Sequence, residues 1–477
     1  MSRADPNGFF APLRMTNGVG LRGQASRGSV LIIVIWVCLG LVALTLYFAD
    51  SMSSELRAAD NRVSELEAQQ AVASGTRYAA YLLKQYATNG TVPRDEDIKA
   101  EELPVGDATF WFIGRNPDVA PTREPVFGLV DESSKLNLNT ASRAMLEALP
   151  NMTPEIADAI LTWRRRSGQA TGLDAGDGTG SNYSRLDPPR INKGGPFESV
   201  DELRLVYGMT LDALYGEDTN RNGAIDPNED DGEKSAPRDD QNGVLLAGIA
   251  EYVTVYSSQP TLKADGTRRT NIANAQARNQ LSQLLVSKGI EAQRVAQILN
   301  TAYGVPGGGP GGPGGGQQPD FTSVADFMLT SRMTPEEFAL IHADITAATG
   351  NAAPGLVNVN TASEAVLTCL PGIGENAAAM IAYRLANPDS LTSIAWLQQV
   401  LPPAAIRRAG PFITDQSYQF SADIAAVGRF GRGYARARVV YDLAAGTPRI
   451  VYRQDLTPYG WALGPQARQT GRTPIEI

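Results

Sequence analysis

The sequence feature that most constrains this chain is an uncharged apolar run near its N-terminus, "SVLIIVIWVCLGLVALTLYFA", from Ser29 to Ala49. As an α-helix, a run of this length extends roughly 30 Å, which is the thickness of the hydrocarbon core of a bilayer. The alternative is a buried helix in a soluble core, but uncharged runs this long are rare there. The sequence therefore predicts one membrane-spanning helix.

The flanking charges predict the orientation of this helix. The residues before the run contain four arginines and a single acid, Asp5. Because positively charged flanks stay in the cytoplasm, residues 1–28 are expected there and everything after Ala49 on the opposite side of the membrane. No small-residue cleavage motif of the A-x-A type closes the run, so we expect it to be retained.

The helix is predicted to continue beyond the membrane. The segment "DSMSSELRAADNRVSELEAQQAVASGTRYAAYLLKQYA" contains no proline and has a weak apolar stripe. A helix that is apolar at its start and amphipathic at its end is suited to packing against other helices along its length. We therefore expect Ile33, Leu56, Val63 and Leu66 to contact neighbouring helices.

The segment "SRGSVLIIVIW" resembles the processing site of type IV pilin-like proteins. By this resemblance a prepilin peptidase cuts between Gly28 and Ser29 on the cytoplasmic side, and Ser29 becomes a methylated N-terminus. An uncleaved signal anchor is the alternative.

Most pilins carry Glu at the fifth mature position, where this chain has Ile33. An intramembrane acid is costly unless it is paired with a neighbouring subunit. Lacking it, the chain resembles the K family of minor pseudopilins of the general (type II) secretion pathway, GspK-like, placed at the pseudopilus tip.

Two interleaved repeats lie beyond the N-terminal helix. The stretch "LNLNTASRAMLEALPNMTPEIADAILTWRRR" aligns with "VNVNTASEAVLTCLPGIGENAAAMIAYR", and each resembles a helix–hairpin–helix unit. A degenerate third copy begins at "TNIANA", with helical sequence to Ile298. The second repeat pairs "ESVDELRLVYGMT" with "TSVADFMLTSRMT", and a shorter echo occurs at "LTSIAWLQQVLP". Paired small helical units are therefore expected in the soluble part.

Strand patterns surround these units. "AEYVTVYS" alternates with period two, as does most of the chain after Gly410. The predicted fold class is α+β, with a pilin-like long N-terminal helix packed on an antiparallel sheet and a large α-helical insertion domain. The predicted segments are a leader (1–28), a transmembrane part (29–49), its amphipathic continuation (50–88), the start of the head (89–135), a first helical unit (136–249), a strand (250–257), a helical region (258–304), a Gly/Pro linker (305–319), a second helical unit (320–409) and C-terminal strands (410–477).

The second hairpin raises the question of DNA binding, because DNA-gripping hairpins use a G-x-G turn whose N–H groups meet phosphates. Gly372 and Gly374 match that turn, but Glu375 follows directly, and no Lys or Arg occurs before Arg384. The net charge of −9 also argues against broad attraction to phosphate backbones. We expect the glycines to make the turn and no nucleic acid to bind. The alternative is a membrane-anchored DNA receptor of the competence type.

The segment "DTNRNGAIDPNE", residues 218–229, fits the twelve-residue spacing of an EF-hand loop. Glycine occupies the sixth position, where such loops turn sharply. The alternating oxygen ligands suit a hard cation, so the sequence predicts a structural Ca²⁺ site. The alternative is a solvated acidic loop. The predicted ligands are Asp218, Asn220, Asn222, the carbonyl of Ala224, Asp226 and Glu229.

The composition argues against enzymes that depend on a histidine triad or on several histidine ligands to a metal. With one histidine, His342, the chain has no His-based triad and no multi-His metal site, and no other catalytic constellation is evident. The resemblance implies an inner-membrane subunit with a periplasmic head, capping a pseudopilus and supporting protein export. Its implied partners are other minor pseudopilins and the prepilin peptidase, together with secreted cargo or the outer-membrane channel.

Overall fold

A computed structural model of the chain describes residues 27–87, 90–119, 121–165, 183, 187–189, 191–273, 277–305, 321–464 and 467. The chain divides into two compact units, Met1–Asp60 and Asn61–Ile477. Residues 1–26 of the predicted leader and residues 306–319 of the predicted linker lie outside the described residues.

The helices are α1 (Arg27–Lys84), α2 (Asp95–Ile98), α3 (Arg143–Glu147), α4 (Pro154–Arg164), α5 (Leu211–Tyr215), α6 (Ile249–Tyr252), α7 (Ala277–Ser287), α8 (Ala292–Tyr303), α9 (Val324–Ser331), α10 (Pro335–Ala339), α11 (Glu364–Thr368), α12 (Ala377–Ala386) and α13 (Pro403–Ala409). The strands are β1 (Leu103–Val105), β2 (Ala108–Ile113), β3 (Val130–Asp131), β4 (Leu136–Asn137), β5 (Val253–Thr254), β6 (Ser258–Pro260), β7 (Thr270–Asn271), β8 (Ile345–Thr346), β9 (Ala352–Pro354), β10 (Val357–Asn358), β11 (Ile413–Thr414), β12 (Gln419–Val427), β13 (Tyr434–Asp442) and β14 (Arg449–Asp455).

The described part of the first unit is helical and belongs to α1. Within the described residues, the stretch Val30–Lys84 contains the one window that is long and apolar enough to cross a membrane. The apolar side chains from Val30 to Phe48 are exposed. This part of the chain is therefore compatible with a single-pass membrane anchor.

The second unit is built on an antiparallel sheet with strand order β1-β2-β12-β13-β14, and β3 also pairs with β12. The C-terminal part of α1 covers one face, where Ala68, Ala71 and Ala79 are fully buried among the sheet's aromatic and branched side chains. Small residues let the helix approach closely. A Cβ on Gly75 would lie 2.8 Å from Cγ2 of Ile424. The predicted α+β, pilin-like fold class is confirmed.

The described residues between β3 and β12 form the helical insertion, and three copies of one unit are seen among them. Each copy opens with a two-residue strand that ends in Asn and closes with a two-residue strand that ends in Thr. The two pair in parallel as β4 with β5, β7 with β8 and β10 with β11. In each opening strand the Asn side chain accepts the N–H two residues later, at Asn137, Asn271 and Asn358. The copies share one apolar core.

The third copy, which the sequence suggested only as a degenerate repeat, has the same hairpin as the other two. Helices α7 and α8 join at Gly289, whose φ is +85°. The corresponding residues are Asn151 (φ +59°) and Gly372 (φ +89°). All three turns need a left-handed residue, and Gly or Asn adopts it with the least strain. The helical region predicted over 258–304 also contains strands β6 and β7.

The strand predicted over 250–257 is the main departure from the predicted segments. Its first residues end the short helix α6, and only Val253–Thr254 is a strand. Alternation alone suggested a longer strand, but here the partner is the two-residue β4, and strand propensity yields to tertiary context. After residue 410 the chain forms strands β11 to β14.

Candidate calcium loop, hairpin turns and assembly helix

The candidate calcium loop, residues 218–229, follows helix α5. Thr210 caps that helix by accepting the N–H of Ala213 at 3.1 Å, and Gly216 ends it with φ +63°. The loop ends in one 3₁₀ turn, Pro227–Glu229, rather than in an exit helix. The site is therefore held between a short entering helix and a single turn.

The backbone of the loop is folded around its own side chains. The Asp218 carboxylate accepts the N–H groups of Asn222 at 3.0 Å and Gly223 at 2.9 Å. The Asn222 amide oxygen accepts the N–H of Ala224 at 2.7 Å. Gly223 has φ +73°, and a Cβ there would lie 2.5 Å from Nε of Arg115. Only glycine fits the sixth position, both because of its φ and because of this close approach.

Burial raises the pKa values of three carboxylates of the loop. Glu229 is 2% exposed, and desolvation raises its pKa to about 7. Desolvation also raises the pKa of Asp218 and of Asp226. Glu229 accepts hydrogen bonds from the N–H groups of Thr219 and Asp226, each at 3.1 Å. A bound cation would offset the cost of burying these carboxylates, because opposite charge favours the ionised form.

The residues present fit a calcium ion chemically, although the carboxylates alone do not form the site. In the described part of the chain, no three His, Cys, Asp or Glu side chains form a metal-binding group. A cation in this loop would therefore depend on amide and carbonyl oxygens as well. The side-chain nitrogens of Asn220 and Asn222 both donate to Asp226. The Ala224 carbonyl accepts no hydrogen bond within the described residues. An all-oxygen donor set of this kind suits Ca²⁺.

The hairpin turn at Gly372 and Gly374 is packed against its own chain. A Cβ on Gly372 would lie 2.5 Å from the carbonyl oxygen of Ala405, in helix α13. Gly374 has φ +48°, and a Cβ at this position would have no atom within 4 Å. In the first copy, the Asn151 amide donates to the Ala247 carbonyl at 3.4 Å. This geometry favours a structural turn.

Basic residues at the ends of the hairpins point back into the fold. Arg164 donates to the carbonyls of Leu138 and Ala141. Arg384, which is 2% exposed, donates to the Val359 carbonyl at 2.9 Å and pairs with Asp118. Both guanidinium groups tie the second helix of a hairpin to the loop before its first helix. They are thus used internally, which sequence spacing alone could not reveal.

We expect Gly372→Ala to destabilise the chain more than Gly289→Ala. Both substitutions place a side chain at positive φ, which costs about 1 kcal/mol, but only the first collides with the Ala405 carbonyl. Nothing lies within 4 Å of a Cβ on Gly289. Denaturant titration measures the loss of free energy of unfolding in each variant. The difference between the two losses gives the cost of the contact with the Ala405 carbonyl. Equal losses would contradict the packing of this turn on α13.

The four residues predicted to pack against neighbouring helices are exposed on α1. Their exposed fractions are 61% for Ile33, 68% for Leu56, 40% for Val63 and 58% for Leu66. The side of α1 that is buried in the second unit instead carries small residues. The four side chains are therefore available to another helix, and their contacts remain a prediction.

The predicted processing residues, Gly28 and Ser29, lie in the first turn of α1. The Ser29 side chain lies outside the described residues. Cleavage between them and methylation of Ser29 remain predictions.

No family model and no curated protein matches the sequence. Among solved structures, the chain is similar to one in the crystal structure of the GspK-GspI-GspJ complex from the enterotoxigenic Escherichia coli Type 2 Secretion System. The TM-score is 0.38 and the identity 9%, over 84% of this chain and 99% of that one. At this distance the similarity assigns neither function nor partners to the chain.

Proposed function

We propose that this chain is a minor pseudopilin of a type II secretion system. The observation that carries the proposal is α1, which combines an exposed uncharged run with a second part packed on an antiparallel sheet. Such a helix joins a membrane anchor to a folded head. The pilin-type processing sequence at Gly28 and Ser29 supports the same function.

The subunit is proposed to cap the tip of the pseudopilus. Ile33 replaces the acid that would pair with a neighbouring subunit inside the membrane, so this chain needs no subunit above it. The three-copy insertion makes the head bulky, which suits a cap better than a repeating fibre position. In this role the protein is not an enzyme, and its head is presented to secreted cargo or to the outer-membrane channel.

Assembly would bury the exposed apolar side chains of α1 against other minor pseudopilins. Each fully buried Leu or Val contributes roughly 1.5–3 kcal/mol to association, before the cost of ordering is subtracted. Leu56→Glu and Leu66→Glu are therefore expected to abolish co-purification with the other minor pseudopilins. Gln69→Glu adds the same charge at an exposed position of the same helix and serves as the control. Repeated self-association without other pseudopilins would contradict the proposed position at the tip.

The mature N-terminus tests the processing step directly. Mass spectrometry of the protein from membranes that contain a prepilin peptidase is expected to find a methylated Ser29. An intact chain that still begins at Met1 would contradict the pilin-type proposal.

We further propose that residues 218–229 bind a structural Ca²⁺ through Asp218, Asn220, Asn222, the Ala224 carbonyl, Asp226 and Glu229. When bound, the ion would neutralise the desolvated carboxylates and cross-link the loop.

Calcium at one hundred times its dissociation constant is expected to add about 2.7 kcal/mol to the free energy of unfolding. Glu229→Gln should remove most of this gain. Glu233→Gln, an exposed position in the adjacent acidic stretch, should retain it. Calcium titration during thermal unfolding measures both, and equal gains in both variants would contradict the ligand set.

The membrane-anchored DNA receptor is tested separately. A duplex-binding assay over a range of salt concentrations should find no salt-dependent binding, because the chain is acidic and the Gly372 turn packs on α13. Tight, salt-dependent binding would favour the receptor over the pseudopilin.

A further inference from the structure

Two arginines of the head hold the candidate calcium loop from outside. Arg115, directly after β2 and Gly114, donates to the carbonyls of Arg221 and Asn222, each at 3.0 Å. Arg436, in β13, donates to the carbonyl of Arg221 at 2.9 Å and to that of Asn220. The loop belongs to the helical insertion and the arginines to the sheet region, so these hydrogen bonds join the two parts of the head.

The arginines donate to loop carbonyls that are not predicted to be calcium ligands. Residues 220, 221 and 222 occupy the third, fourth and fifth positions of the loop, whose backbone oxygens are not ligands in EF-hand spacing. The ligand carbonyl at the seventh position is that of Ala224, and neither arginine contacts it. The guanidinium groups therefore fix the backbone from its outer side and leave the ligand carbonyl free.

Each of the two arginines also pairs with a carboxylate outside the loop. Arg115 donates from Nε to Glu251 at 2.9 Å. Arg436, whose side chain is 1% exposed, makes a two-point contact with Asp423 at 2.8 Å and 2.6 Å. Each guanidinium group thus has a carboxylate partner outside the loop, which reduces its repulsion of a divalent cation in the loop. Without Glu251 and Asp423, the guanidinium groups would repel the ion more strongly.

We propose that Arg115 and Arg436 are positioning residues for calcium, and that calcium binding tightens the docking of the helical insertion on the sheet. This inference rests on the proposed calcium site. Groups that orient a metal's ligands typically change affinity 10- to 100-fold when they are altered. Linkage requires the effect to be reciprocal. If docking by these arginines favours calcium, calcium must favour the docked arrangement to the same extent.

The first test compares Arg436→Lys with Arg453→Lys by calorimetric calcium titration of the full chain in detergent. Lysine keeps the positive charge but cannot reproduce the planar fork that reaches two carbonyls and a carboxylate. Arg453 is the control, since it is exposed on β14, the strand that pairs with β13. We expect the dissociation constant to rise 10- to 100-fold in Arg436→Lys and to stay close to wild type in Arg453→Lys.

The second test needs no variant. Hydrogen exchange of the wild-type chain, with and without calcium, is expected to show added protection in residues 108–115 and 434–442 as well as in the loop. Protection confined to residues 218–229, or equal losses of affinity in both lysine variants, would overturn the inference. Wild type that binds no calcium would instead overturn the calcium site itself.

Discussion

Glu132→Gln is expected to lower the free energy of unfolding by about 3 kcal/mol at pH 7, the lower end of the range for breaking a buried ion pair, since the carboxylate is buried but the Arg438 side chain is 26% exposed. Glu132 is fully buried, and Arg438 donates to it at 2.8 Å. Thr254, in the helical insertion, donates to its other oxygen at 2.5 Å. Chemical denaturation of both proteins in detergent measures the loss.

The pH dependence of this effect has a definite sign. Although burial alone would raise the pKa of Glu132, the charges of Arg438 and Lys135 and the hydrogen bond from Thr254 lower it to about 2. Its contribution to stability is therefore fully present above its ordinary pKa of about 4.5 and is lost as the pH falls through 2. The difference in free energy of unfolding between wild type and Glu132→Gln should therefore become smaller at acid pH. A gap that stays constant with pH would contradict the ion pair.

The neighbouring Asp131 provides a control of opposite sign. Desolvation raises its pKa to about 6, despite hydrogen bonds from Ser417 and Thr361. An acid with a raised pKa contributes stability that is present below its ordinary pKa of about 3.8 and lost as the pH rises through 6. The free energy of unfolding of wild type minus that of Asp131→Asn should therefore fall as the pH rises. The corresponding difference between wild type and Glu132→Gln should rise.

Gly428→Val is expected to cost about 3 kcal/mol, the upper end of the range for overpacking a close contact. Gly428 follows β12 and lies against α1, where a Cβ would come 2.1 Å from the Ser64 carbonyl oxygen. Because backbone faces backbone, no side chain can move aside, and the helix must shift from the sheet. Denaturant titration measures the loss.

Gly195→Val is the control for this substitution, since a Cβ there has nothing within 4 Å. We expect it to leave the free energy of unfolding within about 0.5 kcal/mol of wild type, as surface changes do. If the two variants lost the same stability, the close approach of α1 and the β12–β13 turn would not be a stabilising feature of the head.

The three-copy insertion places hydroxyl groups from two of its copies against acids of the sheet region. Thr254 closes the first copy and donates to Glu132 beside the sheet, while Thr361, in the third copy, donates to Asp131. Two adjacent acids of the sheet region thus receive hydrogen bonds from two different copies. Repetition within the insertion therefore does not make its copies equivalent, because only some positions face the sheet.

Local pattern in the sequence was sufficient for several features. The uncharged run from Ser29, the period-two strands after Gly410 and the glycine at the sixth position of the calcium-type loop are each read from neighbours in the chain. Helices, strands and tight turns follow from short-range periodicity and backbone sterics, so these predictions need no knowledge of distant contacts.

Only the tertiary structure decided which partners these local elements meet. Arg436 reaches a loop carbonyl 216 residues earlier in the chain, and Thr361 reaches Asp131 across 230 residues. It also shortened the predicted strand over 250–257 to Val253–Thr254, because its partner is only two residues long. The sequence by itself determined the long apolar helix, the repeats and the loop spacing. The buried arginines and carboxylates that join the sheet to the insertion follow from long-range packing, because burial and pairing depend on residues that no local pattern brings together.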